Sequence, residues 1–176
     1  MEIFGVGHSN LRADELLAVL SGNRIALVVD VRRFPVSKRH PQHAQPALEA
    51  ALSRAGIAYE FLGGLLGGRL EPEIPIELSE NRALREPAFR AYADALESLP
   101  FSEGLARLET LAREHRSAVL CAERDWRHCH RRILADVLVA RGWSVVHLER
   151  SNVREAHTLD PHARSLAGRL TYPSLL

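Results

Sequence analysis

The sequence predicts an α/β domain, a single three-layer α/β/α arrangement around a mostly parallel sheet of about five strands. Three observations carry this expectation. Five short apolar runs recur along the chain, amphipathic helical stripes separate them, and the runs are apolar at consecutive positions rather than alternate ones. A strand covered by helices on both faces reads this way, whereas one with a face in water leaves every second position polar. With 46% apolar residues among 176, one domain can furnish a core and disorder is excluded.

Ile3–Gly7 (IFGVG) is the first strand. Leu16, Leu17 and Leu20 form the first helical stripe, with Ser9 or Asn10 expected to cap it. Leu27–Val31 (LVVDV) is the second strand. Leu48, Ala51, Leu52 and Ala55 mark the next helix, entered at Pro46 and stopped at Gly56. Ala58–Leu62 (AYEFL) is the third strand, read as buried like the others. Residues 63–87 hold four glycines and three prolines, which makes them the longest loop and the candidate lid. Phe89, Tyr92, Ala93 and Leu96, then Leu105, Leu108 and Leu111, give two helices with Pro100 as the break between them. Ala118–Cys121 is the fourth strand, Ile133, Leu134, Val137 and Leu138 mark a helix ending at Gly142, and Ser144–Leu148 is the fifth strand. Residues 151–176 read as a C-terminal arm with a short helix around 163–167. The alternation β-α-β-α-β-α-α-β-α-β argues for one Rossmann-like sheet with helices on both faces.

The 23 basic and 22 acidic residues nearly cancel, but a single lysine, Lys38, stands against 22 arginines. The charges are also segregated. Residues 71–114 carry ten acids and five arginines, which leaves 18 basic and 12 acidic residues elsewhere. An all-over nucleic-acid-binding coat is therefore excluded, while a local basic cleft for one anionic group is not. Two cysteines cannot staple a chain of this size, and neither a membrane-length apolar run nor a signal-like N-terminus is present, so the expectation is a soluble, reduced, cytoplasmic protein.

Ligands of open parallel sheets bind beyond the carboxyl ends of the strands. His8 and Ser9 follow the first strand. Asp30, Arg32, Arg33, Pro35 and Ser37 end or follow the second. Gly63 and Gly64, with Gly67, Gly68 and Arg69 beyond, follow the third, and the segment CAERDWRHCHR from Cys121 to Arg131 follows the fourth. Groups able to hold an anion, move a proton or attack an electrophile thus collect at one edge. Cys129 and His130 fall at the start of the last helix, where the dipole favours a thiolate or bound anion. Glu123 could orient His130 or act as a base.

Plainer readings compete. Cys121 could be a small core residue, Asp30 could pair with Arg32, and Arg131 and Arg132 could be a solvated first turn. Cys121, His128, Cys129 and His130 are candidate zinc ligands, but their spacing matches no recognised pair of knuckles and adjacent Cys129 and His130 are expected to point apart, so no metal or cofactor is expected. Cys121 to Arg127 has the Cys-x5-Arg spacing of phosphatases and sulfurtransferases, and VVDVRRFPVS is similar to the sulfurtransferase strand ending in Asp-Val-Arg. The intervening residues contain no glycine, and Glu123 would repel a phosphate.

The chain resembles the bacterial and archaeal domain of unknown function 488 family. The resemblance rests on GHS at Gly7 to Ser9, VDVRRFPVS at Val29 to Ser37, GIAYEFLGGLLGG at Gly56 to Gly68, LCAERDWRHCHR at Leu120 to Arg131, and LTYP at Leu170 to Pro173. Trp126, Arg127 and His128 stand where the family more usually has a proline-containing approach. The resemblance implies that His8, Ser9, Asp30, Arg32, Pro35, Ser37, Tyr59, Gly63, Gly64, Cys121, Glu123, Cys129, His130 and Arg131 are motif positions. It implies no reaction.

The leading expectation is an enzyme, a hydrolase or transferase, acting on a phosphate-bearing ligand such as a nucleotide or nucleic-acid end. Arg32, Arg131 and helix-start amides would bind the anion, His8 or His130 would move a proton, Asp30 or Glu123 would hold the imidazole, and Gly63 and Gly64 would let backbone approach the ligand. The alternatives are a non-catalytic nucleotide or nucleic-acid binding module and a thiolate enzyme of the sulfurtransferase or phosphatase type using Cys121. No membrane partner is expected.

Overall fold

The computed structural model describes residues 1–149, 153–166 and 168–174. Five parallel strands, β1 (Glu2–Gly7), β2 (Leu27–Asp30), β3 (Ala58–Phe61), β4 (Ser117–Cys121) and β5 (Ser144–Leu148), coincide with the five apolar runs to within a residue or two at either end. A sixth, β6 (Arg154–Ala156), pairs antiparallel with β5 and lies where the sequence pattern fades. The sheet order is β3-β2-β4-β1-β5-β6.

Alternate residues of each central strand feed two cores. Phe4, Val6, Val28, Ala118 and Leu120 pack under α1 (Ala13–Gly22) and α2 (Gln45–Arg54). On the other face Ile3, Val29, Val119 and Val145 pack under the long helix Leu99–Glu114 and the helix Arg131–Ala140. Burial on both faces is what makes the strands continuously apolar. The exception is β3, whose residues are half-buried or exposed. It has only β2 as a neighbour, so the expectation of a buried third strand is corrected by its place at the sheet edge.

Between β3 and β4 lie a single helical turn, α3 (Gly63–Leu66), then α4 (Pro87–Asp94) and α5 (Leu99–Glu114), with the last helix, α6 (Arg131–Ala140), before β5. Residues 67–86 contain no helix or strand. Pro100 is not the break between α4 and α5 but occupies the first turn of α5, where its missing N–H costs nothing; the break comes at Ser98, whose hydroxyl accepts the Phe101 N–H at 3.3 Å. The cap expected at Ser9 or Asn10 lies instead at Arg12, whose backbone N–H donates to Glu15 at 2.8 Å. Residues 151, 152, 167, 175 and 176 of the expected C-terminal arm lie outside the described residues; where the short helix was expected, β7 (Arg164–Leu166) pairs antiparallel with β8 (Arg169–Thr171). The arm is anchored by buried Leu170 and Tyr172. No helix among the described residues is long and apolar enough to cross a membrane.

The strand order places the site. From β1 the chain moves through β2 to β3, with α1 and α2 on one face; from β3 it reverses through β4 to β5, with α5 and α6 on the other. The reversal leaves a crevice at the carboxyl end of β4, flanked by β1 and β2. Register makes these ends level, since Leu120 faces both Val6 and Asp30.

Candidate functional site

An open cleft of about 750 Å³ occupies that crevice. The backbone beyond the strands continues the pairing: His8 N–H donates to the Cys121 carbonyl at 3.0 Å and Ser9 N–H to that of Ala122 at 2.8 Å. This draws the exits of β1 and β4 together. Of the residues named from sequence, His8, Ser9, Arg32, Ser37, Cys121, Glu123, Cys129 and His130 line the cleft. Asp30, Tyr59, Gly63, Gly64 and Arg131 do not.

Below the cleft, Asp30 is fully buried and accepts from the Arg32 backbone N–H, from Nε and Nη2 of Arg32, and from the Tyr59 hydroxyl at 2.8 Å. Arg32 Nη1 donates to the His43 carbonyl at 2.6 Å and lies 3.2 Å from His8 Nε2. Four of the five guanidinium hydrogens are thus committed within the protein, and one on Nη2 remains for a ligand. His8 Nδ1 lies 3.0 Å from the Ser9 carbonyl, so Nδ1 carries the hydrogen and Nε2 accepts from Arg32. Burial, the His43 ring tilted against it with centroids 4.2 Å apart and the Arg32 cation push His8 down to about 3. A neutral imidazole with both nitrogens engaged positions Arg32. Asp30 therefore acts on His8 through Arg32 rather than holding the ring itself. Burial and Asp30 raise Tyr59 far above the usual phenol range.

The second cluster is sulfur. Cys129 is extended (φ −129°, ψ 148°) and His130 already helical (φ −56°, ψ −19°). That change of backbone direction corrects the expectation that their side chains diverge: His130 Nδ1 lies 3.6 Å from Cys129 Sγ and 4.0 Å from Cys121 Sγ. All three ligand atoms lie within 4.8 Å of one another, and all three residues are buried. Among the described residues this is the one group of three that could hold a metal together. Arg131, buried behind it, donates Nε to Cys129 Sγ at 3.4 Å and Nη2 to the Glu123 carbonyl. A hydrogen bond from Cys121, the His130 ring and the Arg131 cation hold the Cys129 thiol well below the ordinary range. That hydrogen bond and burial push Cys121 up. His130 Nε2 is buried without a partner.

Several expectations change here. Glu123 is exposed and meets Arg131 through its carbonyl, so its side chain does not orient His130. The Cys-x5-Arg segment forms no cradle: residues 126–128 make a 3-10 turn, α6 starts only at Arg131, and Arg127 turns away to Asp125 and Glu155 while stacking on Trp126. His128 is exposed and pairs with Asp125. Gly63 serves the protein's own backbone, since a Cβ there would come 2.0 Å from the Arg32 carbonyl oxygen, whereas Gly64 faces open space. Gly68, beyond the residues singled out for the site, lies against the His130 ring, where an added Cβ would be 2.6 Å from Nδ1.

The rim is basic. Arg33, Lys38, Arg39 and Arg69 line the cleft with exposed side chains, and among the described residues none of them forms a carboxylate ion pair. Glu86 and Glu123 are the two carboxylates of the lining. Lys38 and Arg39 are not among the site residues expected from sequence, although the RRFPVSKRH run after the second strand is signal enough. Ser37 ties this run down, its hydroxyl accepting the His40 N–H at 3.0 Å. Ser9 (φ 46°) and Arg69 (φ 60°), both at the cleft, are held in the left-handed region that non-glycine residues avoid.

The profile of the family described as Domain of unknown function DUF488 matches residues 12–138. No curated protein and no solved structure matches the chain.

Proposed function

The chain belongs to the DUF488 family, and we propose that its cleft binds and acts on a phosphate-bearing ligand, a nucleotide or a nucleic-acid end. The carrying observation is the set of four cations, Arg33, Lys38, Arg39 and Arg69, around a cleft whose floor holds Cys121, Cys129 and His130. Cations without carboxylate partners leave their charge available to an anion, and a concave, low-dielectric wall strengthens it. Arg32 contributes its one uncommitted hydrogen and the exposed Phe34 and Val36 offer apolar surface beside the charges. The reacting groups are the floor residues.

Calorimetric titration with pyrophosphate and with a nucleoside diphosphate tests this. Binding that weakens with salt and is lost when Arg39 and Arg69 are both changed to Ala supports the reading; no binding of either probe at low salt refutes it. Product formation from a nucleotide or a short oligonucleotide then separates an enzyme from a binding module.

A further inference from the structure

We propose that Cys121, Cys129 and His130 form a metal centre for a borderline-soft divalent cation, zinc above all, with three protein ligands and a fourth position open to the cleft. This names the cofactor of the site proposed above and rests on that reading for its role, though not for its existence.

The geometry carries the proposal. A tetrahedral zinc bound at about 2.3 Å to sulfur and about 2.0 Å to nitrogen sets S···N edges of about 3.5 Å. The two S···N separations here are 3.6 and 4.0 Å, so small side-chain rotations bring both sulfurs and Nδ1 onto one ion. Two sulfurs and an imidazole are the donors that select zinc over magnesium or calcium. All three residues are buried, yet all three line the cleft; the ligand cage is dry on the protein side and accessible on the other, the arrangement of a catalytic rather than a structural zinc. Two thiolates neutralise the dication.

The surroundings fit as well. Arg131 Nε at 3.4 Å from Cys129 Sγ is an outer-shell donor to a ligating thiolate. Gly68 lies so close to the His130 ring that an added Cβ would be 2.6 Å from Nδ1, so a side chain at that position would crowd the ligating nitrogen. When bound, such an ion would polarise a phosphoryl oxygen or lower the pKa of a bound water at the fourth position. The rim cations would hold the rest of the anion over it.

The test uses the full chain, kept reduced and stripped of metal, titrated with zinc or cobalt alone. One zinc per chain, and a cobalt form with both tetrahedral ligand-field bands and thiolate-to-cobalt charge transfer, support the centre. Cys121→Ser, Cys129→Ser and His130→Gln, each shown to be folded by circular dichroism, should weaken zinc binding by more than the roughly 10- to 100-fold expected for the outer-shell change Arg131→Gln. Absence of stoichiometric zinc binding at micromolar concentrations, or a cobalt spectrum without thiolate charge transfer, overturns the proposal. If a variant fails to fold, the cobalt spectrum of the unaltered chain still decides. Pyrophosphate binding by the metal-free protein is measured alongside. Its persistence without zinc binding leaves the anion cleft standing and removes only the metal, whereas zinc binding without pyrophosphate binding does the reverse.

Discussion

Lowering the pH from 7 to 5 should destabilise the fold by about 4 kcal/mol through two imidazoles alone, and His147→Gln should abolish about half of that sensitivity. His147, in β5, is stacked on Trp126 at 4.2 Å with an interplanar angle of 8° and is only 2% exposed. Its Nε2 meets His157 at 2.9 Å, and its Nδ1 is buried without a partner. Burial, His157 and the cations of Arg131 and Arg127 push it down to about 3, with Asp125 opposing weakly. His8 is depressed equally. Both rings stay neutral in the folded chain, while in the unfolded chain they take up protons as the pH falls below 6.5. The folded state then binds fewer protons, so stability is complete above that value and is lost as the pH falls toward 3. Because pH 5 lies about 1.5 units below the unfolded value, each ring contributes a loss of about 2 kcal/mol at 1.36 kcal/mol per unit. Two such losses are a large fraction of the 5–15 kcal/mol typical of a domain. Urea unfolding at the two pH values measures the loss, and the ring resonances of His8 and His147 should show no titration above pH 4. A His147→Gln protein with the pH dependence of the unaltered chain, or a His147 resonance titrating near pH 6.5, would refute the reasoning.

Gly68→Ala should drive a methyl group into the His130 ring; overpacking costs about 1–3 kcal/mol, and thermal unfolding together with the zinc titration would register both the strain and the displaced Nδ1. Asp30→Asn leaves the Arg32 guanidinium buried without its counter-charge and should cost about 3–5 kcal/mol in urea unfolding. Tyr172→Phe removes the 2.7 Å hydrogen bond to Asp136, which also holds His157 at 2.8 Å; about 1–3 kcal/mol is expected, with faster proteolysis of the C-terminal arm than of the sheet. Arg39→Ala should weaken pyrophosphate binding about tenfold, whereas Arg127→Ala, whose partner is Glu155, should leave it unchanged.

Local pattern made the five parallel strands and the helices legible, because burial on both faces and the 3.6-residue stripe are written in consecutive residues. The meeting of the candidate site residues at one edge of the sheet was legible for the same reason. Every parallel strand sends its chain onward from its carboxyl end, so residues such as His8, Arg32 and Cys121 were bound to meet once the strands were right. The strands Arg154–Ala156, Arg164–Leu166 and Arg169–Thr171 were not legible, because their residues are largely exposed and carry no period. Nor was the set Tyr172, Asp136, His157 and His147, whose hydrogen bonds join residues 10 to 36 positions apart.

By itself the sequence determined an α/β domain with polar residues gathered beyond its strands, since composition and periodicity decide what is buried and where the chain must turn. Tertiary structure alone decided what those residues face. Strand order put β3 at the edge and β4 at the centre. One change of backbone conformation between Cys129 and His130 brought a sulfur and an imidazole together, sent Arg131 inward to that sulfur, and followed a turn that sent Arg127 out to Glu155. Side-chain direction depends on backbone dihedrals and on partners distant in the chain, and neither leaves a period in the sequence.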